Sequence, residues 1–205
     1  MESLIHHEYV SIGNQSATHR IVLLHGWGAD AHDLLPVANL IIQESGFEFE
    51  IISLRAPNIN KQNNFREWYG LFPAQWEEAK KEVHKLKLSF QELGKFRIPL
   101  ENTILLGFSQ GAAMSIASGI EFDFGLIVAC SGFLHPDWEP PKRIPRVLLS
   151  HGIQDQIVPS NKSREIFQKL QSVSNSQCEL IEFNGNHEID ISLIEAIKQK
   201  IKLIF

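Results

Sequence analysis

Residues 102–111 read Asn102-Thr103-Ile104-Leu105-Leu106-Gly107-Phe108-Ser109-Gln110-Gly111, and Ala112-Ala113-Met114-Ser115-Ile116-Ala117 follow directly. An apolar, β-like run therefore ends in Gly-Phe-Ser-Gln-Gly and gives way at once to a helix-like stretch. A chain that reverses this sharply from strand to helix strains its central residue, and side chains at the flanking positions would collide. Glycine at 107 and 111 removes the collision. The turn lifts Ser109 Oγ above the sheet edge and sets the N-terminus of the next helix behind it, where an oxyanion is favoured. The five residues alone also fit an ordinary Gly-rich turn; the strand before them and the helix after them favour a nucleophile.

A serine hydroxyl becomes a useful nucleophile only with a base, a carboxylate that orients the base, and donors for the developing oxyanion. On a strand-to-helix elbow the partners follow in the order Ser, acid, His. Three histidines lie after Ser109: His135, His151 and His187. His187 stands in the polar stretch Phe183-Asn184-Gly185-Asn186-His187, between the strand-like 177–183 and the helix-like 189–205. That position makes it the candidate base. The candidate acid is Asp155, where the apolar run Val147-Leu148-Leu149-Ser150 leaves through His151-Gly152-Ile153-Gln154 and meets Val158-Pro159 shortly afterwards. Read in isolation, His187 also fits an exposed loop residue, and Asp155 a turn former or helix cap. Asp137 lies in a Pro-rich loop, and Asp190 follows His187 and so falls in the wrong order.

An early apolar run, Arg20-Ile21-Val22-Leu23-Leu24, leads into His25-Gly26-Trp27-Gly28. A His-Gly-x-Gly loop after a strand can aim a backbone N–H at a reacting carbonyl oxygen, and the residue after the nucleophile supplies the second donor. The candidate oxyanion donors are thus Trp27 N–H and Gln110 N–H. Trp27 also fits a packed aromatic. His25 precedes the serine and reads as a structural, hydrogen-bonded histidine. Four elements in order, each at the C-terminal end of a strand-like run, occupy the edge where open α/β sheets hold ligands.

Strand-like runs are expected at 9–12, 20–24, 48–54, 103–106, 124–129, 146–150 and 178–183. Helix-like runs are expected at 31–44, 75–93, 110–120, 161–172 and 189–204. Continuous apolar runs with β-branched residues indicate strands buried on both faces, and the alternation with helices indicates a mainly parallel sheet covered on both sides. Ile191, Ile194, Ile197 and Ile201 form the expected core-facing stripe of the last helix.

These stretches resemble the phospholipase/carboxylesterase family of α/β-hydrolases, which includes the acyl-protein thioesterases. The resemblance rests on Leu24-His25-Gly26-Trp27-Gly28 with His32-Asp33-Leu34, on Arg55-Ala56-Pro57, and on Gly107 to Ser115. It continues in Ser131-Gly132-Phe133-Leu134, in His151-Gly152-x-x-Asp155-x-x-Val158-Pro159, and at His187. It implies an α/β-hydrolase fold and cofactor-independent hydrolysis of acyl esters, including thioesters and lysophospholipids. It also allows a homodimer, although no self-complementary patch is visible in the sequence. Three positions depart from the family pattern: Ala112 replaces a second glycine, Trp27 an aliphatic residue, and Trp68-Tyr69-Gly70 a Trp-Phe-Asp. They touch the substrate pocket rather than the triad.

The 205 residues suffice for one domain, 1–205, and leave no room for a separate lid domain. A net charge of −5 without a basic run argues against nucleic acid as a partner. No apolar run approaches the roughly 18 residues of a membrane span, and the N-terminus lacks the pattern of a secretory signal. Cys130 and Cys178 read as buried free thiols of a cytoplasmic protein, outside any metal-ligand spacing, and His6-His7 as a flexible terminal pair. No metal is expected. Two stretches, 56–74 and 131–145, fit neither strand nor helix and carry Trp68, Tyr69, Phe133, Leu134 and Trp138. Long aromatic loops above strand ends line a groove or plug the top of a core. On the first reading Trp27, Trp68, Phe133 and Leu134 are the candidate substrate walls. The sequence therefore points to a serine carboxylesterase of small to medium acyl esters. The alternatives are a binding protein on the same fold, or a peptidase, lactonase or acyltransferase using the same triad.

Overall fold

A computed structural model describes residues 6–13, 15–43, 45–60, 65–174 and 176–205. The elements in chain order are β1 (Tyr9–Ile12), β2 (His19–Leu24), α1 (Leu35–Ile42), β3 (Phe49–Leu54), β4 (Asn58–Ile59), β5 (Arg66–Glu67) and α2 (Trp76–Leu93). They continue as β6 (Thr103–Phe108), α3 (Gln110–Gly119), β7 (Leu126–Cys130), β8 (Val147–Gly152), α4 (Asn161–Gln171), β9 (Cys178–Phe183) and α5 (Ile191–Ile204). A 3₁₀ turn, Leu100–Asn102, leads into β6.

Seven strands form one sheet in the order β1-β3-β2-β6-β7-β8-β9. All neighbours are parallel except β1, which pairs antiparallel with β3. Strands β2, β3, β6, β7 and β8 are buried almost throughout, as continuous apolar runs predict for a sheet covered on both faces. On one face, α1 and α5 pack through Ala38, Ile41, Leu193, Ile197 and Ile201 onto Ile21, Ile51, Ile104 and Val128. On the other, α2, α3 and α4 pack through Leu86, Phe90, Met114, Ile116 and Ile166 onto Val22, Ile52, Leu105 and Ile127. This is the α/β-hydrolase architecture. Both thiols, Cys130 and Cys178, are free and buried.

Several expectations move. The first helix begins at Leu35 rather than Ala31, with Pro36 in its first turn, where proline is tolerated. Ile191 is 62% exposed, and Leu193, fully buried, takes its place on the core-facing stripe of α5. His7 is no flexible terminal residue: its buried ring meets the Glu82 carboxylate and the Ser89 hydroxyl of α2. The stretch 56–74 contains the short hairpin β4–β5, paired Asn58 to Glu67 and Ile59 to Arg66.

The sheet register gathers the strand ends that matter. Leu24 pairs with Gly107, Gly107 with Ala129, and Cys130 with Ser150. The loops that follow β2, β6, β7, β8 and β9 therefore leave the sheet side by side at its C-terminal edge.

Candidate active site

Ser109 sits between β6 and α3 with φ 53° and ψ −117°, a conformation that is strained for any residue with a Cβ. Its surroundings hold it there. The Ser109 N–H donates to Cys130 O at 2.8 Å, and the Ser109 carbonyl accepts from Ala112 N–H and Ala113 N–H at 3.0 and 3.1 Å. The flanking glycines are a packing requirement. A Cβ on Gly107 would lie 2.3 Å from Gly111 O, and one on Gly111 would lie 2.0 Å from Leu24 O.

His187 Nε2 lies 2.9 Å from Ser109 Oγ, and His187 Nδ1 lies 2.6 Å from Asp155 Oδ2. An ionised carboxylate can only accept, so Nδ1 carries the imidazole proton and Nε2 is free to accept from the serine hydroxyl. The Phe108 ring lies 4.8 Å, centroid to centroid, from the His187 ring. Asp155 Oδ1 accepts from Ile157 N–H and Val158 N–H, both at 2.9 Å. Burial pushes the Asp155 pKa up. The hydrogen bond from His187, the two loop amides and the positive charge His187 can carry outweigh it and leave the pKa below the ordinary carboxylate value. The β8 end and the His187 loop touch at Gly152, where a Cβ would lie 2.1 Å from Asn186 O.

The loop after β2 is held from beneath. His25 is fully buried; its Nε2 accepts from Ala56 N–H at 3.1 Å, and its Nδ1–H donates to Gly26 O at 2.8 Å. Burial lowers its pKa, so the ring is neutral. Within one trans peptide the C=O and the following N–H point in opposite directions. Drawing the Gly26 carbonyl towards the His25 ring therefore turns the Trp27 N–H away from it. Among the described residues, neither Trp27 N–H nor Gln110 N–H has a protein acceptor. The loop lies against the elbow, with the Cβ position of Gly26 3.5 Å from Ser109 Cβ.

The other candidates divide. Trp27 is half-buried and its ring packs against Phe65 at 4.4 Å and Phe72 at 5.5 Å. Its Nε1–H donates to Glu67 Oε2 at 2.7 Å, and Gly28 N–H to Arg66 O at 3.0 Å, which ties the loop to the β4–β5 hairpin. Phe133 and Leu134 are half-buried, and Leu134 packs onto the core. Trp68 is not a groove wall. It is 0% exposed and its Nε1–H donates to the His25 carbonyl, so it lies under the loop as core. Phe72, 79% exposed beside Trp27, is the aromatic that faces out of this loop. Its neighbour Pro73 and the absence of any periodicity around it gave the sequence no signal.

His135 stays away from the serine. Its Nε2 is hydrogen-bonded to the Tyr69 hydroxyl at 3.1 Å, and burial takes its pKa down to about 4. Asp137 is exposed. The Gln110 side chain spans the elbow and the 56–74 stretch, accepting from Trp68 N–H at 3.0 Å and donating to Tyr69 O at 2.8 Å. A cleft of about 540 Å³ opens at the opposite, N-terminal edge of the strands, lined by His19, Arg143, Arg146 and Gln177 among others, and takes no part in this constellation.

The phospholipase/carboxylesterase family model matches residues 5–205. The chain belongs to the phospholipase/carboxylesterase family. As a family member it is a serine hydrolase of carboxylic ester bonds. An acyl-protein thioesterase 1 of Kluyveromyces lactis is 26% identical over 185 residues, 78% of this chain and 81% of the relative. One from Candida albicans is 32% identical over 143 residues, 60% of this chain and 61% of the relative. Among solved structures, esterase PE8 is 25% identical with a TM-score of 0.83, and the match covers 97% of this chain and 98% of that one. Among the described residues of this family member, no helix is long and apolar enough to cross a membrane.

Proposed function

We propose that this family member is a carboxylesterase of small to medium acyl esters and thioesters, with Ser109 as nucleophile, His187 as base and Asp155 as its orienting acid. The observation that carries the proposal is the hydrogen-bonded line from Asp155 Oδ2 through both nitrogens of His187 to Ser109 Oγ. Ser109 Oγ attacks the acyl carbon as its proton moves to His187 Nε2. The carbonyl oxygen becomes an oxyanion facing Trp27 N–H and Gln110 N–H. The bond from acyl carbon to the alcohol oxygen, or thiol sulfur, then breaks, and the leaving group takes the proton from His187. Water attacks the acyl-enzyme in turn, gives its proton to His187, and frees the acid as Ser109 recovers its proton. Asp155, held ionised by its three donors, keeps the proton on Nδ1 and stabilises the imidazolium.

The thioesterase relatives support inclusion of thioesters. The aromatic surface of half-buried Trp27 and Phe65 and exposed Phe72 beside the elbow supports an apolar acyl group. All the reacting groups come from one chain of 205 residues read as a single domain. A panel of chromogenic acyl esters and matched thioesters of graded chain length tests the proposal. Saturable turnover of short and medium members, lost in Ser109→Ala, is the expected result. Turnover of none of them would sink it.

A further inference from the structure

Asp155 meets two imidazoles. Its Oδ2, which lies 2.6 Å from His187 Nδ1, is also 3.2 Å from His151 Nε2. His151 is the penultimate residue of β8 and is fully buried. Its protonation follows from its partners. Nε2 lies 2.7 Å from the Val158 carbonyl oxygen, which can only accept, so Nε2 carries a proton. Nδ1 lies 2.6 Å from Ser163 Oγ on α4, a hydroxyl that can serve it as donor or acceptor. Both ring nitrogens thus have partners, and the Nε2–H edge that bonds the Val158 carbonyl also lies 3.2 Å from Asp155 Oδ2.

The two carboxylate oxygens are held differently. Two backbone amides of the loop fix Oδ1. Oδ2 takes the His187 bond and lies 3.2 Å from His151 Nε2, whose ring is anchored to a different element. The groups around His151 are the Ser163 hydroxyl from α4, Asp155 and Val158 from the loop, and its register partner Glu182 on β9, whose carboxylate is occupied by Arg164 Nε at 2.8 Å. We propose that His151 is a positioning residue: its ring, braced by Ser163 and bonded through Nε2–H to the Val158 carbonyl, holds the Asp155 loop and sets its polar Nε2–H edge beside Oδ2, keeping that oxygen in line with His187 Nδ1 and drawing part of its negative charge. The proposal rests on the triad reading above.

Three variants test it: His151→Leu, His151→Gln and Ser163→Ala, each compared per fluorophosphonate-titrated active site. In His151→Leu, kcat should fall on the order of 10- to 100-fold, by analogy with loss of the outer partner that orients a metal-ligating side chain. KM should change little. The acid limb of the kcat/KM profile should move to higher pH, because the carboxylate would concentrate its charge on His187. The glutamine amide reaches the Nε2 position and can donate there, so His151→Gln should restore most of kcat and return the limb. Ser163→Ala should shift the limb in the same direction by less, and serves if His151→Leu does not fold. Equal losses in the leucine and glutamine variants with an unmoved limb would mean that His151 only fills the core, and the inference would fall. Wild-type turnover per labelled site in His151→Leu would overturn it too. Ser109→Ala separates the two claims. If it retains turnover, the triad reading fails; if it is dead while the His151 variants match wild type, only the positioning role fails.

Discussion

Trp68 Nε1–H donates to the backbone carbonyl of His25 at 2.9 Å, joining residues 43 positions apart. The bond makes a large aromatic the floor of the loop that carries Trp27 N–H. The same ring lies 5.5 Å from the His25 imidazole and 5.8 Å from that of His7. Trp68 thus belongs to the core, and the outward apolar surface beside the site belongs to Trp27, Phe65 and Phe72.

This division yields opposite expectations for two aromatic truncations. Trp68→Ala should destabilise by about 3–5 kcal/mol, as large buried aromatics do, and should lower kcat/KM by a similar factor at every acyl length. Phe72→Ala should leave the unfolding midpoint almost unchanged, because the ring is already exposed. It should instead weaken the gain per added methylene, worth about 0.8 kcal/mol when fully buried. Urea unfolding together with a chain-length series of esters distinguishes them. A uniform drop in Phe72→Ala would remove that residue from the acyl path.

Replacing the proposed nucleophile should abolish turnover. Ser109→Ala is expected to lose on the order of 10⁶ in kcat, as triads that act as a unit do. A fluorophosphonate should label Ser109 in the wild type and nothing in the variant, read by intact mass. Ester turnover within tenfold of wild type in the folded variant would exclude Ser109.

Two aspartates in neighbouring loops should behave differently. Asp155→Asn should lower kcat by roughly 10⁴, since an amide at that position favours the wrong tautomer of His187. Asp137→Asn should change it little, because Asp137 is exposed and pairs with neither histidine of the site. Steady-state kinetics on the shortest ester give the ranking, and the reverse order would reject this assignment of the acid.

The depressed pKa of Asp155 links the site to stability. A carboxylate whose folded pKa lies below its unfolded value contributes stability that is present above the unfolded pKa and lost as the pH falls through the folded one. Wild type should therefore exceed Asp155→Asn in unfolding free energy at about pH 7, and the gap should close as the pH drops below about 4. Denaturant melts of both proteins across this range measure it. A gap that widens in acid would contradict the sign.

The elbow, the loop after β2, the loop of Asp155 and that of His187 were legible in order because each is a local signal: an apolar run, then glycine or a polar turn. The hairpin β4–β5 was not, since two-residue strands carry no periodicity to read. Nor was the role of Trp68. An aromatic in a proline- and asparagine-rich stretch reads the same whether its ring points up into a groove or down onto His25 and His7. Ile191 and Leu193 show the same limit at a helix start, where the burying face depends on how α5 lies on the sheet.

His151 marks the boundary most sharply. Its neighbourhood to Asp155 in sequence was visible. Its proton is assigned only by Val158 O, and its ring is braced by Ser163, which α4 delivers from elsewhere in the fold. By itself the sequence determined the sheet, the order of the candidate residues and the strand end on which each sits, because these follow from backbone turns and apolar patterning. Only the tertiary structure decided distances, tautomers and which aromatics face solvent. Those depend on strand register and on side chains brought together from remote positions, which no local pattern encodes.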